Sequence, residues 1–185
     1  MCQRLTTEIQ ERKTIMFREM RRKKQQLSFE ETEEILKYAS AGVLALAGDD
    51  GYPYAVPVSY VYEDGRIYFH GAGAGHKFDA ICREPKASFC VIEEDEVIPE
   101  RFTTAYSSVI AFGTIRILED EQEIANAADL LMKKYSPKES AQAREKELKA
   151  GLQGSLRLFE LNVEHMTGKE GKERKERRAG RSEQS

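Results

Sequence analysis

The run Gly71-Ala72-Gly73-Ala74-Gly75-His76-Lys77 sets three glycines ahead of two basic residues, at the point where a helix should begin. Backbone N–H groups at a helix start, beside positive side chains, suit a phosphate. Two better-known phosphate fingerprints are not met. The G-x-G-x-x-G spacing of dinucleotide sites is absent, and no acidic residue follows about twenty positions on in a parallel unit. Lys77 has no glycine before it and no Ser or Thr after it, as a P-loop requires. On spacing alone the run reads equally as a flexible connection; the basic pair and the helix after it favour phosphate. His70 ends the preceding strand. A histidine there is often a structural hydrogen-bonding group, but with an ordinary pKa of about 6.5 it can also give a hydrogen bond or a proton to a substrate.

The elements around this run must hold it in place. From Tyr54 to Tyr62 the residues alternate, with Tyr54, Val56, Val58, Tyr60 and Tyr62 on one face. Ala55, Pro57, Ser59 and Val61 share the other, whose small side chains leave room for a flat ring. Glu63-Asp64-Gly65 predicts a tight turn and Arg66–His70 the return strand. Pro57 removes a ladder hydrogen bond, which marks an edge strand or bulge, or backbone that faces a ligand. Together these features suggest a phosphorylated planar cofactor.

The chain has 185 residues, enough for one well-buried domain. Its net charge of −3 hides an asymmetry. Residues 1–26 carry a balance of +5 and residues 168–185 one of +3, so the body between them is −11. An acidic body argues against a nucleic-acid-binding core. Charge-rich ends are usually solvated and mobile. Residues 1–15 therefore read as a polar extension and 168–185 as a charged tail, both without fixed structure, flanking a domain over 16–167. Cys2, Cys82 and Cys90 have no metal-ligand spacing; Cys82 and Cys90 are expected to fill core. An odd, unpaired count fits a reducing cytoplasm. The apolar runs are too short to span a bilayer, and the N-terminus has no signal-peptide order. The expectation is a soluble cytoplasmic protein without membrane or nucleic-acid partners.

Elsewhere, Ser28-Phe29-Glu30-Glu31 is a capping box opening a helix to about Tyr38. Strands are expected at 43–47, 87–93, 105–118 and 156–163. Helices are expected at 75–83, from the Asp120 cap to about Tyr135, and at 138–151. The consecutive apolar residues Val109, Ile110, Ala111 and Phe112 suggest burial on both faces, at a barrel wall or a subunit contact. The in–out phase of the last strand shifts near Phe159-Glu160, which predicts a bulge there. Strands hold the middle and helices gather at the ends, so the fold class is mainly β (α+β), a small antiparallel barrel with peripheral helices. The histidines and carboxylate clusters lack metal-ligand spacing, and no G-x-S-x-G elbow supports a hydrolase.

Four segments, MFREMRRKKQ (16–25), GVLALAGDDGYPYAVPVSYVY (42–62), IYFHGAGAGHKFDAI (67–81) and EHMTGKE (164–170), resemble the pyridoxamine 5′-phosphate oxidase-like split β-barrels. Within them the chain is most similar to the nitroimidazole-resistance (Nim) proteins. The resemblance implies an antiparallel split β-barrel binding FMN, with the phosphate gripped at His76 and Lys77. The isoalloxazine ring would lie along Val56, Pro57, Val58 and Ser59, beside Phe69 and His70. It implies His70 as the catalytic residue, and Ser108 as a contact to the flavin of a partner subunit in a homodimer with FMN at the interface. His165, in the last segment, reads as structural. The implied activity is an FMN-dependent oxidoreductase acting on a small-molecule substrate, reducing a nitroimidazole or another small electrophile. True pyridoxamine phosphate oxidase activity is disfavoured, because the family's Arg-, His- and Trp-rich C-terminal segment has no counterpart and the chain has no tryptophan. Two other readings share the barrel: a non-catalytic flavin- or haem-binding module, and a deazaflavin-dependent reductase.

Overall fold

The computed structural model describes residues 17–182. The expected extension over 1–15, and Met16 of the first matching segment, lie outside the described residues. Six antiparallel strands close a barrel in the order β1-β2-β3-β6-β5-β4. They are β1 (Ala41–Ala47), β2 (Pro53–Glu63), β3 (Arg66–Ala72), β4 (Lys86–Ile98), β5 (Thr103–Ile117) and β6 (Leu156–Glu170). Among the described residues five α-helices surround them: α1 (Phe29–Tyr38), α2 (His76–Arg83), α3 (Glu121–Tyr135), α4 (Ala141–Gln153) and α5 (Lys172–Ser182).

Local signals start most of these elements. The Ser28 hydroxyl accepts from the Glu31 N–H at 3.1 Å and the Glu31 carboxylate accepts from the Ser28 N–H at 2.8 Å, a closed capping box. Asp120 caps α3 by accepting from the N–H groups of Gln122 and Glu123. Asp64 and Gly65 both take positive φ, +46° and +76°, the combination that matches a hairpin turn to strand twist.

The barrel is split beside the glycine run. β2 pairs with β1 from Pro53 to Ser59, but with β3 only from Tyr60 to Glu63. Past that point β3 pairs with β6 alone, through His70, Gly71 and Ala72. Pro57 thus sits where β2 has a ladder partner on one side only, so its missing N–H is tolerated.

One core fills the barrel and a second lies outside it. Leu44, Tyr60, Phe69, Phe89, Val109 and Phe159 are fully buried inside, with Ile35 and Leu36 of α1 and Ala80 and Ile81 of α2 closing the cluster. Val61, Leu118, Ala127, Leu131 and Leu158 form the second cluster, where α3 lies on the outer surface of the sheet. The last turn of α3 is tied down. The Tyr135 hydroxyl accepts from the Tyr60 N–H at 2.8 Å, and the Lys134 ammonium donates to the Ala39 carbonyl at 2.6 Å.

Four expectations are corrected. The irregular phase at Leu158–Leu161 is not a bulge: β6 is covered by α3 outside and core inside, so consecutive residues are buried. The register shift lies instead between Phe112 and Gly113, opposite His165 and Val163, and leaves Glu164 without a ladder partner. Val109 and Ala111 are buried, but Ile110 and Phe112 stay 42% and 37% exposed, so one face of that run is uncovered within the chain. Cys82 is exposed and fills no core.

The fourth correction concerns the tail. β6 continues to Glu170, and α5 is helical where composition predicted no structure. Low apolar content was the wrong measure, because charge holds this helix. Arg174 bonds Glu93, Glu94 and Glu170 at 2.8, 2.9 and 3.1 Å, Arg177 pairs with Glu96, and Arg178 pairs with Glu31 and Glu170. Glu170 is only 2% exposed, a burial a carboxylate tolerates when paired. Among the described residues no helix is long and apolar enough to cross a membrane.

Candidate functional site: the glycine run at the split

The glycine run leaves the end of β3, turns over the end of β6 and enters α2. The Gly73 N–H donates to the Ser155 carbonyl at 2.6 Å, which pins the turn. Gly75 is the N-cap of α2 at φ +95°, a conformation that side chains rarely adopt. It brings no side-chain acceptor, so the first-turn N–H groups of α2 have no side-chain cap. This cradle fits a phosphate.

The two basic residues diverge from it. The His76 ring stacks on Tyr54 at 4.0 Å between centroids, and its Nε2 lies 3.5 Å from Asp49. Asp49 also accepts from Arg83 at 3.0 Å, so the β1–β2 turn is braced against α2. Lys77 folds back towards the barrel. Its ammonium lies 5.7 and 5.8 Å from the Phe69 and Phe159 ring centroids and 3.4 Å from the His70 carbonyl oxygen. Burial pushes its pKa below the usual lysine range. No carboxylate pairs with it among the described residues, so a bound anion would relieve that cost.

His70 points outward from β3, away from the barrel core, into a cavity of about 250 Å³. Leu131 and Met132 of α3, Leu148 of α4, and Leu156 and Leu158 of β6 supply the apolar wall, with Glu147 at the edge. Burial first, and then the charge of Lys77, lower the His70 pKa, so the imidazole is neutral at pH 7.

The remaining expected residues separate by face. Val56 and Val58 point inward and pack against the core, while Pro57 and Ser59 are exposed outside with Ala55. Phe69 does not offer its side chain to a ligand: it is fully buried and stacks on Phe159 at 5.1 Å. Ser108 lies far off in the single chain. It pairs with Lys169, thirteen residues along β6 from the Leu156 that faces Ala72, roughly 40 Å of strand. His165 stacks on Phe17 at 4.7 Å, near Phe112, an aromatic packing role. Among the described residues no group of three or more His, Cys, Asp or Glu is placed to hold a metal ion.

Sequence reasoning missed Arg157. It lies directly across the ladder from Gly71, with its side chain against Gly73. It also missed the α3 and α4 walls of the His70 cavity. Neither carries a local signal, since both depend on which distant segments the barrel brings together.

Comparison with known proteins agrees with this architecture. A search of curated proteins returns no match. A solved 5-nitroimidazole antibiotic resistance protein of Bacteroides thetaiotaomicron, an assignment that is itself provisional, superposes with a TM-score of 0.67 at 20% identity, covering 78% of this chain and 85% of its own. A FAD and haem binding protein of Mycobacterium smegmatis gives 0.66 at 21%, over 80% and 74%. A FAD-binding protein of Mesorhizobium loti gives 0.57 at 24%, over 79% and 96%. These likenesses show a shared fold. The family model described as pyridoxamine 5′-phosphate oxidase matches residues 28–170, from the capping serine of α1 to the buried carboxylate that ends β6. That span takes in every strand of the barrel and the whole glycine run, and the chain belongs to the pyridoxamine 5′-phosphate oxidase family.

Proposed function

We propose that the protein is an FMN-dependent oxidoreductase that reduces small electrophilic molecules, nitroimidazoles among them, and works as a homodimer with the flavin at the subunit interface. The observation that carries this reading is the start of α2 after Gly75, which has no side-chain cap, backed by the Lys77 ammonium, which has no carboxylate partner among the described residues. A flavin, when bound, supplies two-electron chemistry that amino-acid side chains lack. The chain's part is binding, orientation and hydrogen bonding.

Lys77 and the first-turn amides of α2 would hold the phosphate. The exposed small residues Ala55, Pro57 and Ser59 leave a flat surface on which a planar ring can lie, with backbone groups at its polar edge. His70, neutral at pH 7, would donate an imidazole N–H to an acceptor oxygen of the substrate, orienting it without adding a charge. The apolar wall beside it favours a neutral, compact substrate.

Two features support the dimer. The outward row Pro57–Val43–Cys90–Ile110 runs across four neighbouring strands, and Val43 and Ile110 are 37% and 42% exposed. An apolar sheet face of this kind suits a partner surface. Ser108, distant from the glycine run in one chain, reaches a flavin only if a second copy supplies it.

The test is the visible spectrum of the purified protein, with chromatography of the heat-released chromophore and sedimentation of the intact protein. FMN at one per chain in a dimer is expected. A Soret band, a deazaflavin, or a protein that stays colourless after incubation with FMN would overturn the cofactor assignment.

A further inference from the structure

Gly71 lies near the end of β3, on the face that Phe69 shares, and Gly73 follows just beyond the strand, in the turn towards α2 at the open end of the barrel. Two cationic side chains lie against them. A methyl group added at Gly71 would sit 2.5 Å from the Lys77 ammonium. One added at Gly73 would sit 3.0, 3.3 and 3.4 Å from Cγ, Nε and Cζ of Arg157. At both positions the missing side chain leaves room for a cation. Arg157 comes from β6, where it faces Gly71 and stands two residues before Phe159, on the same side of the sheet as Lys77. Its Nη1 donates to the Leu156 carbonyl at 2.7 Å, which fixes the guanidinium near the turn. Among the described residues neither cation has a carboxylate in ion-pair distance. His76, by contrast, is already engaged with Tyr54 and Asp49.

We infer that Arg157, rather than His76, is the second phosphate-holding side chain beside Lys77, and that the pair selects a terminal phosphate monoester. The inference rests on the flavin reading above. One tetrahedral phosphate can accept from both cations through charge-assisted bonds of about 2.8 Å, and a dianion matches their two charges. Arginine adds a planar fork that can address two oxygens, which lysine cannot.

The experiment measures dissociation constants of FMN and riboflavin by flavin fluorescence for the wild type, R157Q, R157K and H76A, with a thermal melt of each. R157Q keeps much of the stem and the neighbouring packing. R157Q is expected to weaken FMN at least tenfold and riboflavin less than twofold, R157K to recover part of the loss, and H76A to change FMN less than threefold. Unchanged FMN affinity in both Arg157 variants overturns the assignment while leaving the flavin reading intact. Equal losses for FMN and riboflavin in R157Q overturn it too, since the contact would then not be to phosphate. A wild type that binds neither flavin overturns the flavin reading and the inference with it.

Discussion

Two regions of this molecule gather positive charge and treat it in opposite ways. At the C-terminal helix, Arg174, Arg177 and Arg178 are each paired to carboxylates of β4, β6 or α1. At the glycine run, Lys77 and Arg157 lie against glycines, Lys77 also lies near two aromatic rings, and among the described residues both donate to carbonyl oxygens and neither to a carboxylate. The first set has spent its charge on holding an element in place. The second has kept its charge for an anion from outside. A count of basic residues does not separate these cases; the nearest carboxylate does.

That contrast predicts distinct failures. The largest effect is expected from R174A, which strips Glu170 of one of its two arginines in a buried setting. A loss of about 3 kcal/mol in chemical denaturation is expected, with flavin affinity unchanged. Reduced flavin binding in R174A would mean that the two regions are coupled. Next is K77A, for which flavin titration should show FMN binding weakened about 30-fold, near 2 kcal/mol. Its melting temperature should hold or rise, because a partly buried cation, with no carboxylate partner among the described residues, has been removed. A lower melting temperature would place Lys77 with the structural set.

Smaller effects sharpen the comparison. G75A forces a side chain into φ +95° at the start of α2 and should cost about 1–2 kcal/mol while shifting FMN affinity in the same direction. The smallest effect concerns His70. Its folded pKa is depressed, so the unfolded chain binds more protons between that value and about 6.5. Stability should therefore rise with pH through this window and level off above it. H70Q should flatten the slope, measured as denaturation midpoints from pH 5 to 7.5. An equal slope in the variant would remove burial of His70 from the account.

What was legible beforehand follows from the range of the interaction that decides it. The Ser28 box, the Asp120 cap, the Gly65 hairpin and the α2 start at Gly75-His76 depend on residues within four positions of one another, and the structure has each as read. The antiparallel barrel was also readable, since alternation within strands and helices at the ends leave few other arrangements. The errors arise where distant segments meet. Four consecutive buried residues at Leu158–Leu161 need α3 outside and core inside. The fate of the basic tail depends on acidic residues of β4 about eighty positions away. Cys82 sits one residue beyond two buried helix positions, and its exposure is set by how α2 meets the barrel. At the site, the glycine run was visible as a phosphate candidate, but the division of labour between His76, Lys77 and Arg157 was not. It turns on Tyr54, Asp49 and the β3–β6 register.

That register carries a consequence for how the protein comes to hold a ligand. Gly71 and Arg157 are 86 residues apart in sequence, and the ladder that joins them belongs to a closed ring of non-local pairings. Such pairings form slowly, because the loop-closure entropy comes before the contacts that offset it. Half of the anion-binding charge is missing until β6 has docked. A nascent or partly folded chain should ignore FMN, and FMN added during refolding should leave the early rate untouched while slowing unfolding of the finished barrel. In the cell, free flavin would then set how long each completed molecule survives rather than how quickly it forms.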